Sequence, residues 1–337
     1  MLKRWLRISP EEASFARRKF RVPRDSVRNR LERVGTTFLT GYNAALEDAG
    51  MQALEARLSA VELEFRGFAY EGAAMALDLL DQLTPWKTRR LPAFMDGPGS
   101  PHIYMVHVGM GWSLARMPLR LGHRFAGLDP LLRWLALDGY GFHEGYFHWH
   151  RYAGRTSQPS RLRGYELRAW DQGLGRSMWF VGGADAEWIA GAIAGFPALR
   201  RNDLWSGVGL ACAYAGGADA GEIMMLRSAA RGHYPHLAQG VVFAAGARNR
   251  AANPAEHTEI ACQLLCALSL QEAAAISDET RCRALADAEP AYEVWRRLIR
   301  GHFAPQEYTR CGPQERLRRS QGDVSDSMEE AEHAQRA

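Results

Sequence analysis

The chain has 337 residues, of which 47% are hydrophobic, so it can bury a sizeable core, and its net charge of +4 is too small for the footprint of a nucleic-acid-binding protein. Its five cysteines form no Cys-x-x-Cys pair, which argues against a disulfide framework and fits a reducing cytoplasm. No stretch reaches about 18 uncharged apolar residues, and the start lacks the apolar core of a signal peptide, so we expect a cytoplasmic protein without a transmembrane segment.

In chain order, the sequence begins with a basic segment, 1–30, that we interpret as a solvated arm or first helix. Residues 1–33 carry eleven Lys and Arg against four Asp and Glu, so a docking surface for an acidic partner or an anionic membrane is the alternative. We expect helix N-caps at Asp185, at Asp219, and at either Asp203 or Ser206. Apolar spacing and turn residues predict helices at 31–50, 68–84, 103–117, 129–150, 171–180, 185–195, 205–215, 219–231, 235–251, 255–275, 278–286 and 290–303, with loops at 85–102 and 151–165 and a disordered tail at 314–337.

A glycine followed by a small, Ala-rich stretch recurs seven times, with gaps of 28 to 37 residues. A period in this range predicts helical-hairpin repeats, in which small residues let neighbouring helix backbones approach closely. We therefore predict an all-α fold, with one helical-repeat domain at 31–305 that forms either an open α-solenoid or a closed α/α toroid. The seven glycines are predicted to lie on helices that face one another across the inner side: Gly41, Gly72, Gly109, Gly145, Gly173, Gly207 and Gly240.

The densest polar and aromatic segment is DGYGFHEGYFHWHRY, residues 138–152. If it is helical, Glu144 and His148 share a face, and a carboxylate beside an imidazole can act as an acid/base pair or as half of a metal site. His143 and His148 are five residues apart and cannot bind one zinc ion in the manner of a His-Glu-x-x-His motif. We predict His143, Glu144 and His148 as acid/base or ligand residues without a metal. The alternative is that they form hydrogen bonds within an aromatic core.

Two Arg and Trp pairs occur at helical spacing, Trp112 with Arg116 and Arg176 with Trp179. Simple stacking of the guanidinium on the indole is one interpretation. The other is an aromatic-walled, cationic slot for a ligand with a carboxylate or a carrier phosphate. Together with Trp205, these four residues are the predicted substrate-binding residues.

Several motifs of known chemistry are missing. The sequence has no Gly-x-Gly-x-x-Gly after a predicted strand, no phosphate-binding P-loop and no Gly-x-Ser-x-Gly elbow, so nucleotide-binding and α/β-hydrolase functions lack support. It also lacks the Asp-rich runs of terpene cyclases. The sequence identifies no cofactor.

Four long sequence blocks resemble the UnbL family: LDGYGFHEGYF at 137–147, DQGLGRSMWFVGG at 171–183, RRNDLWSGVGLACAYAGG at 200–217 and LAQGVVFAAGARNRAAN at 237–253. The resemblance extends over residues 5–290. It implies a protein encoded in bacterial enediyne gene clusters, beside the iterative polyketide synthase and its thioesterase, that helps to convert a polyketide-derived polyene into the enediyne core. No residue role is carried over from this family, whose catalytic residues are not established.

Two functions follow as expectations. The first is a biosynthetic protein that binds a hydrophobic polyene or polyyne in a helical-repeat cavity and takes part in its modification, because an apolar, rigid chain suits a groove of small and aromatic residues. The second is a non-catalytic, tetratricopeptide-like scaffold for the polyketide synthase or neighbouring pathway proteins. A closed cavity favours the first function, and an open groove favours the second.

Overall fold

The computed structural model describes residues 6–22, 24–47, 50–84, 86, 89–117, 128–152, 157–283 and 289–304. The compact unit that contains nearly all of them ends at Phe303. Within the described residues every regular element is a helix and none is a strand, which confirms the predicted all-α class. The tail predicted to be disordered, 314–337, lies outside the described residues.

Fifteen α-helices are found in the described part of the chain, joined by turns and short 3₁₀ segments. They are α1 (Phe15–Arg18), α2 (Asp25–Leu46), α3 (Met51–Ser59), α4 (Arg66–Leu83), α5 (Arg90–Asp96), α6 (Ile103–Arg116), α7 (Arg133–Tyr152), α8 (Tyr165–Val181), α9 (Ala186–Ala194), α10 (Ala198–Ala215), α11 (Ala220–Ala229), α12 (Tyr234–Arg250), α13 (Glu256–Cys266), α14 (Leu270–Arg283) and α15 (Ala291–Gly301).

The inner helices pack in chain order, α2 on α4, then α6, α7, α8, α10, α12 and α14. In α4, α6, α8 and α10 most residues are buried on every face, as expected for helices at the centre of a core. Helices α9 and α11 bury only a few residues each and pack on one another, so they form an outer layer.

Close contact between inner helices depends on a Gly-x-Gly pair in each of α6, α7, α8 and α10. In α8, a Cβ added at Gly173 would lie 1.7 Å from the Asp138 carbonyl oxygen of α7, and one added at Gly175 would lie 2.1 Å from the Leu204 carbonyl oxygen of α10. The first glycine thus faces the preceding helix and the second faces the next one. The pairs are Gly109 and Gly111, Gly139 and Gly141, Gly173 and Gly175, and Gly207 and Gly209.

Six of the seven glycines predicted from the repeat meet the backbone of a neighbouring helix, which confirms the prediction for them. Gly145 is the exception, because a Cβ added there would meet the Ser177 side chain. The position in α7 equivalent to Gly173 is Gly139, whose added Cβ would lie 2.0 Å from the Val108 carbonyl oxygen. The prediction of Gly145 was therefore wrong in register, because the repeat position of α7 is Gly139, earlier in the same helix.

Several predicted boundaries were wrong. The predicted helix at 205–215 begins at Ala198, so Asp203 and Ser206 lie inside α10 and neither caps it. The predicted helix at 255–275 is two helices, separated where Ala267 adopts a left-handed conformation with φ of 57°. Helix α5 lies within the predicted 85–102 loop. The predicted N-caps Asp185 and Asp219 are confirmed, since each side chain accepts a hydrogen bond from a first-turn amide.

The N-terminal segment, residues 6–22, lies against the inner helices. Phe15 and Phe20 are buried, and Phe20 packs edge-on against Tyr146 of α7 at 5.0 Å between ring centroids. The Arg21 amide donates to the Val181 carbonyl oxygen at the end of α8. The described part of the predicted basic arm is thus packed through its apolar residues, and Arg18 of this arm stacks over the Phe147 ring of α7 at 4.9 Å.

Helix α15 packs against several inner helices. Trp295 contacts Phe243 of α12 and Tyr104 of α6, and its indole donates to the Ser277 carbonyl oxygen of α14 at 2.9 Å. No single helix among the described residues has the length and hydropathy to span a membrane; only α13 and α14 together do so, with a 74° bend between them.

Candidate functional site

Four neighbouring inner helices each contribute one polar side chain to a row that crosses them where the repeat glycines allow close contact. Each residue directly precedes the first repeat glycine of its helix: Asp138 in α7, Gln172 in α8, Ser206 in α10 and Gln239 in α12. Gln172 Nε2 donates to Asp138 Oδ2 at 2.9 Å, Ser206 Oγ lies 3.2 Å from Gln172 Oε1, and Ser206 donates to Gln239 Oε1 at 2.8 Å. We call these four residues the polar ladder.

The ladder has a buried arginine at each end. Arg176 Nη1 donates to Asp138 Oδ1 at 2.5 Å, and Arg296 of α15 donates to Gln239 Oε1 at 3.1 Å and to Asp203 Oδ1 at 2.7 Å. The four ladder side chains, the two arginines and Asp203 are all almost fully buried. Buried charges of this kind are tolerated because each is paired and hydrogen-bonded. The ladder therefore fixes the relative positions of five helices.

Beyond the Arg176 end lies a cavity of about 40 Å³, which we call the aromatic cavity. Its polar lining residues are Glu12, Glu71 and Arg116, and the N-terminal segment closes it with Ile8 and Ala13. The side chains of α2, α4, α6, α7 and α8 supply the rings of its wall, namely Phe38, Phe68, Trp112, Phe142, Tyr146, Phe147 and Phe180.

Glu71 of α4 is the buried titratable group of this cavity, with only 1% of its surface exposed. Burial raises the pKa of its carboxyl group to about 7, although attraction by Arg176 and the nearby Trp112 indole oppose that rise. Neither Glu71 Oε1 nor Trp112 Nε1 completes a hydrogen bond of normal geometry. A carboxyl group with this pKa can hold or release a proton near neutral pH.

A second cavity, of about 30 Å³, lies on the other side of Arg176. Helix α6 lines it with Tyr104, Met105 and Val108, and Trp295 of α15 closes it. The Tyr104 hydroxyl is buried without a hydrogen-bond partner, and so is Arg176 Nε.

The predicted residues His143 and Glu144 are together and buried, but neither lines the aromatic cavity. His143 Nδ1 lies 3.3 Å from Glu144 Oε1, and the Tyr152 hydroxyl donates to Glu144 Oε2 at 2.6 Å. Burial, together with the nearby Arg116 and His148, lowers the pKa of His143 although the Glu144 carboxylate opposes this shift. Burial raises the pKa of Glu144, but hydrogen bonds from His143 and Tyr152 outweigh it, so the net pKa is lowered. At neutral pH the pair is a neutral imidazole beside a carboxylate.

The third predicted member, His148, lies where helix α7 bends, with φ of −131° and ψ of 27°. Its ring centroid is 6.1 Å from that of His143. The expected shared face of Glu144 and His148 is therefore interrupted at His148 itself, and Tyr152 is the side chain that reaches Glu144. His143 packs against Trp112, 5.6 Å between centroids, which links the pair to the cavity wall.

Of the predicted binding residues, Trp112 and Arg116 line the aromatic cavity and Arg176 lines the second cavity. Trp179 is buried, and its indole donates to the Gly216 carbonyl oxygen at 2.8 Å, which is a packing role. Trp205 is buried and lines neither cavity.

The predicted stacking of Arg on Trp within each pair was wrong. The Arg176 guanidinium lies 4.8 Å from the Phe142 ring centroid, and that of Arg116 lies 5.9 Å from the Phe147 centroid. Phe142 and Phe147 both belong to α7, so the arginines stack on a neighbouring helix and not on their own. Arg176 of α8 pairs with Asp138 of α7, and this pairing draws its guanidinium away from Trp179 of its own helix.

Neither Glu71 nor the polar ladder was predicted from the sequence, although a short sequence pattern marks these residues. A polar residue directly precedes the repeat glycine in Glu71-Gly72, Asp138-Gly139, Gln172-Gly173, Ser206-Gly207 and Gln239-Gly240. Polar residues at one register position of helices that are otherwise buried require partners from neighbouring helices. Within the described residues, no three His, Cys, Asp or Glu side chains group closely enough to hold a metal ion.

Residues 1–303 match the family described as protein of unknown function (DUF1702), and the chain belongs to this family. No curated protein matches the chain, and no solved structure does.

Proposed function

We propose that this member of the DUF1702 family binds an extended, conjugated, apolar chain of the polyene or polyyne type in the aromatic cavity, and takes part in its modification during enediyne core formation. The sequence blocks that resemble the UnbL family support the pathway. The cavity supports the class of ligand, because a rigid apolar chain gains affinity from burial against rings, at about 25 cal/mol per Å² of apolar surface.

One observation carries the proposal: a buried carboxyl group, Glu71, faces an aromatic cavity without completing its hydrogen bonds. Buried polar atoms in folded proteins are almost always paired, so an unpaired one in a cavity indicates a ligand or a reaction. A pKa of about 7 lets Glu71 move a proton on a conjugated chain at neutral pH. Glu71 joins His143 and Glu144 as a candidate for acid/base chemistry.

Binding requires the cavity to open. A space of about 40 Å³ holds only a few water molecules, and Ile8 and Ala13 cover it. Single hydrogen bonds hold this cover to the helices beneath it. Asn43 bonds the backbone of Ile8 at 3.1 and 3.4 Å, the Tyr42 hydroxyl donates to the Leu6 carbonyl oxygen at 2.9 Å, and Glu32 accepts from the Phe15 amide at 2.7 Å. We propose that the N-terminal segment moves aside for the ligand and closes over it.

We further propose that the helical-hairpin repeats form a closed toroid and not an open solenoid. Contacts between early and late helices support closure. Arg30 of α2 donates to the Ala215 carbonyl oxygen of α10 at 2.7 Å, and Arg248 of α12 donates to the Glu64 carbonyl oxygen at 2.6 Å. Phe68 of α4 packs on Tyr214 of α10. An open array would leave its first and last members apart.

The scaffold function has one observation in its favour. A surface groove between α9 and α11 is lined by Ala190, Met224 and Met225, and Met225 is 55% exposed. Exposed apolar grooves can receive partner proteins. This groove carries no unpaired polar group of the kind seen at Glu71, so we place the scaffold second.

A fluorescence titration with methyl parinarate, a neutral conjugated ester whose emission rises in apolar surroundings, tests the proposal. We expect saturable, stoichiometric binding by the wild type. Trp112→Leu removes a wall of the cavity and should weaken binding several-fold, whereas Trp205→Leu, a matched change at a buried tryptophan outside both cavities, should not. No saturable binding, or the same loss in both variants, would overturn the proposal and favour the scaffold.

A further inference from the structure

The two cavities lie in line along shared helices. Helix α6 lines the second cavity from Tyr104 to Val108 and the aromatic cavity with Trp112 and Arg116. At 1.5 Å per residue, Tyr104 to Arg116 spans about 18 Å. Helices α7 and α8 follow the same order, with the aromatic cavity lined by Phe142 and Phe180 one to two turns beyond the polar ladder.

Between the cavities lies a cluster of Glu71, Arg176 and Asp138. Glu71 lines the aromatic cavity and Arg176 lines the second cavity, and the two attract each other. Asp138 holds Arg176 through a hydrogen bond of 2.5 Å.

Unpaired polar atoms gather at this boundary. Glu71 Oε1 and Trp112 Nε1 face it from one side, and Arg176 Nε lies on the other side without a partner. Each of these three buried polar atoms costs free energy when it is left unbonded. Two of the three are hydrogen-bond donors, and Glu71 becomes a donor when it is protonated, so they suit an oxygen that accepts hydrogen bonds.

The charge of the cluster determines which kind of ligand oxygen it can bind. The Arg176 cation is already neutralised by Asp138, and burial favours the protonated form of Glu71. A ligand carboxylate at the cluster would add a buried negative charge beside Asp138, which is costly. The other lining arginine, Arg116, is exposed and lies one turn beyond Trp112 on α6. A carbonyl or hydroxyl oxygen accepts the same hydrogen bonds without that charge.

We propose that the aromatic cavity and the second cavity are the two halves of one elongated site, and that its ligand places a neutral carbonyl or hydroxyl oxygen within the chain against Glu71 and Arg176. This inference rests on the proposed function and deepens it, because it specifies the length of the chain and the position of its polar group. The flexible side chains Met75 and Met105, one in each cavity, can adapt to the chain.

The first test uses the wild-type protein and displacement of methyl parinarate by straight-chain ketones. We expect affinity to rise with chain length until both cavities are filled. At that length, a ketone with its carbonyl at the chain centre should bind roughly 3- to 10-fold more tightly than the ketone with its carbonyl near the end, as one hydrogen bond implies. Affinity that is indifferent to carbonyl position, or that stops rising at a chain filling one cavity, would overturn the inference.

The second test fills each cavity in turn, with Met75→Phe in the aromatic cavity and Met105→Phe in the second. Under the inference both variants lose affinity for the long central ketone, while only Met75→Phe loses affinity for a ketone short enough for the aromatic cavity. Unchanged long-ketone binding in Met105→Phe, at a thermal midpoint like that of wild type, would refute the shared site. If methyl parinarate itself fails to bind the wild type, the proposed function fails; if it binds without these dependences, only the elongated site fails.

Discussion

Replacing Gly207 by alanine tests the close contact between α8 and α10. The added Cβ would lie 1.9 Å from the Gln172 carbonyl oxygen and 2.7 Å from the Arg176 amide nitrogen, whereas ordinary contact begins at 3.4 Å. The two backbones must therefore move apart by more than an ångström, and backbone atoms cannot rotate away as a side chain can. Alanine favours a helix by about 1 kcal/mol over glycine. We expect over-packing of about 1–3 kcal/mol or more to outweigh that gain.

Urea denaturation followed by far-UV circular dichroism measures this change. The matched control is Gly191→Ala in α9, where an added Cβ meets nothing within 4 Å. The control should keep or slightly raise the unfolding free energy, because only helix propensity acts there. A Gly207→Ala protein as stable as the Gly191→Ala protein would refute the close packing on which the repeat depends.

The remaining predictions concern charged groups. Burial raises the pKa of Glu71, so the stability of the wild type falls as pH rises from the unfolded pKa of about 4.5 towards 7. Glu71→Gln removes that loss. In denaturant titrations, the stability of this variant relative to wild type should increase by about 3 kcal/mol between pH 4 and pH 8. Arg296→Met leaves Asp203 short of a partner and should cost about 3–5 kcal/mol; adding Asp203→Asn should recover part of it, and a double-mutant cycle that shows simple additivity would be contrary evidence. Glu144→Gln should abolish product formation in a producing strain at a nearly unchanged thermal midpoint, and normal product would make Glu144 a structural residue.

The repeat could be predicted from the sequence because its cause is local. Helices that touch through their backbones need glycine at the contact, and that need recurs once per hairpin, as at Gly173 and Gly207. Register within α7 could not be predicted, because Gly139, Gly141 and Gly145 all suit a helix contact and only the neighbours α6 and α8 distinguish them.

The candidate site could likewise be predicted only in part. His143 and Glu144 could be predicted as candidates because the segment is dense in polar residues, but the predicted pairing was of Glu144 with His148, whereas His143 is the histidine beside Glu144. Trp112 and Arg116 could be predicted together because they lie one turn apart. Glu71 could not, since the groups around it, Trp112 and Arg176, come from other helices. Likewise, nothing near His148 indicates that the helix bends there and that Tyr152 reaches Glu144.

Photo-crosslinking tests the central claim most directly. The full-length protein is irradiated with a conjugated fatty ester that carries a diazirine, and the labelled peptides are mapped. We predict labels on α4 and α6, at residues such as Met75, Met105 and Trp112, and their loss when excess methyl parinarate is present. Labels confined to the outer groove at Met224 and Met225, or labels that excess ester does not reduce, would contradict a ligand site inside the helical array.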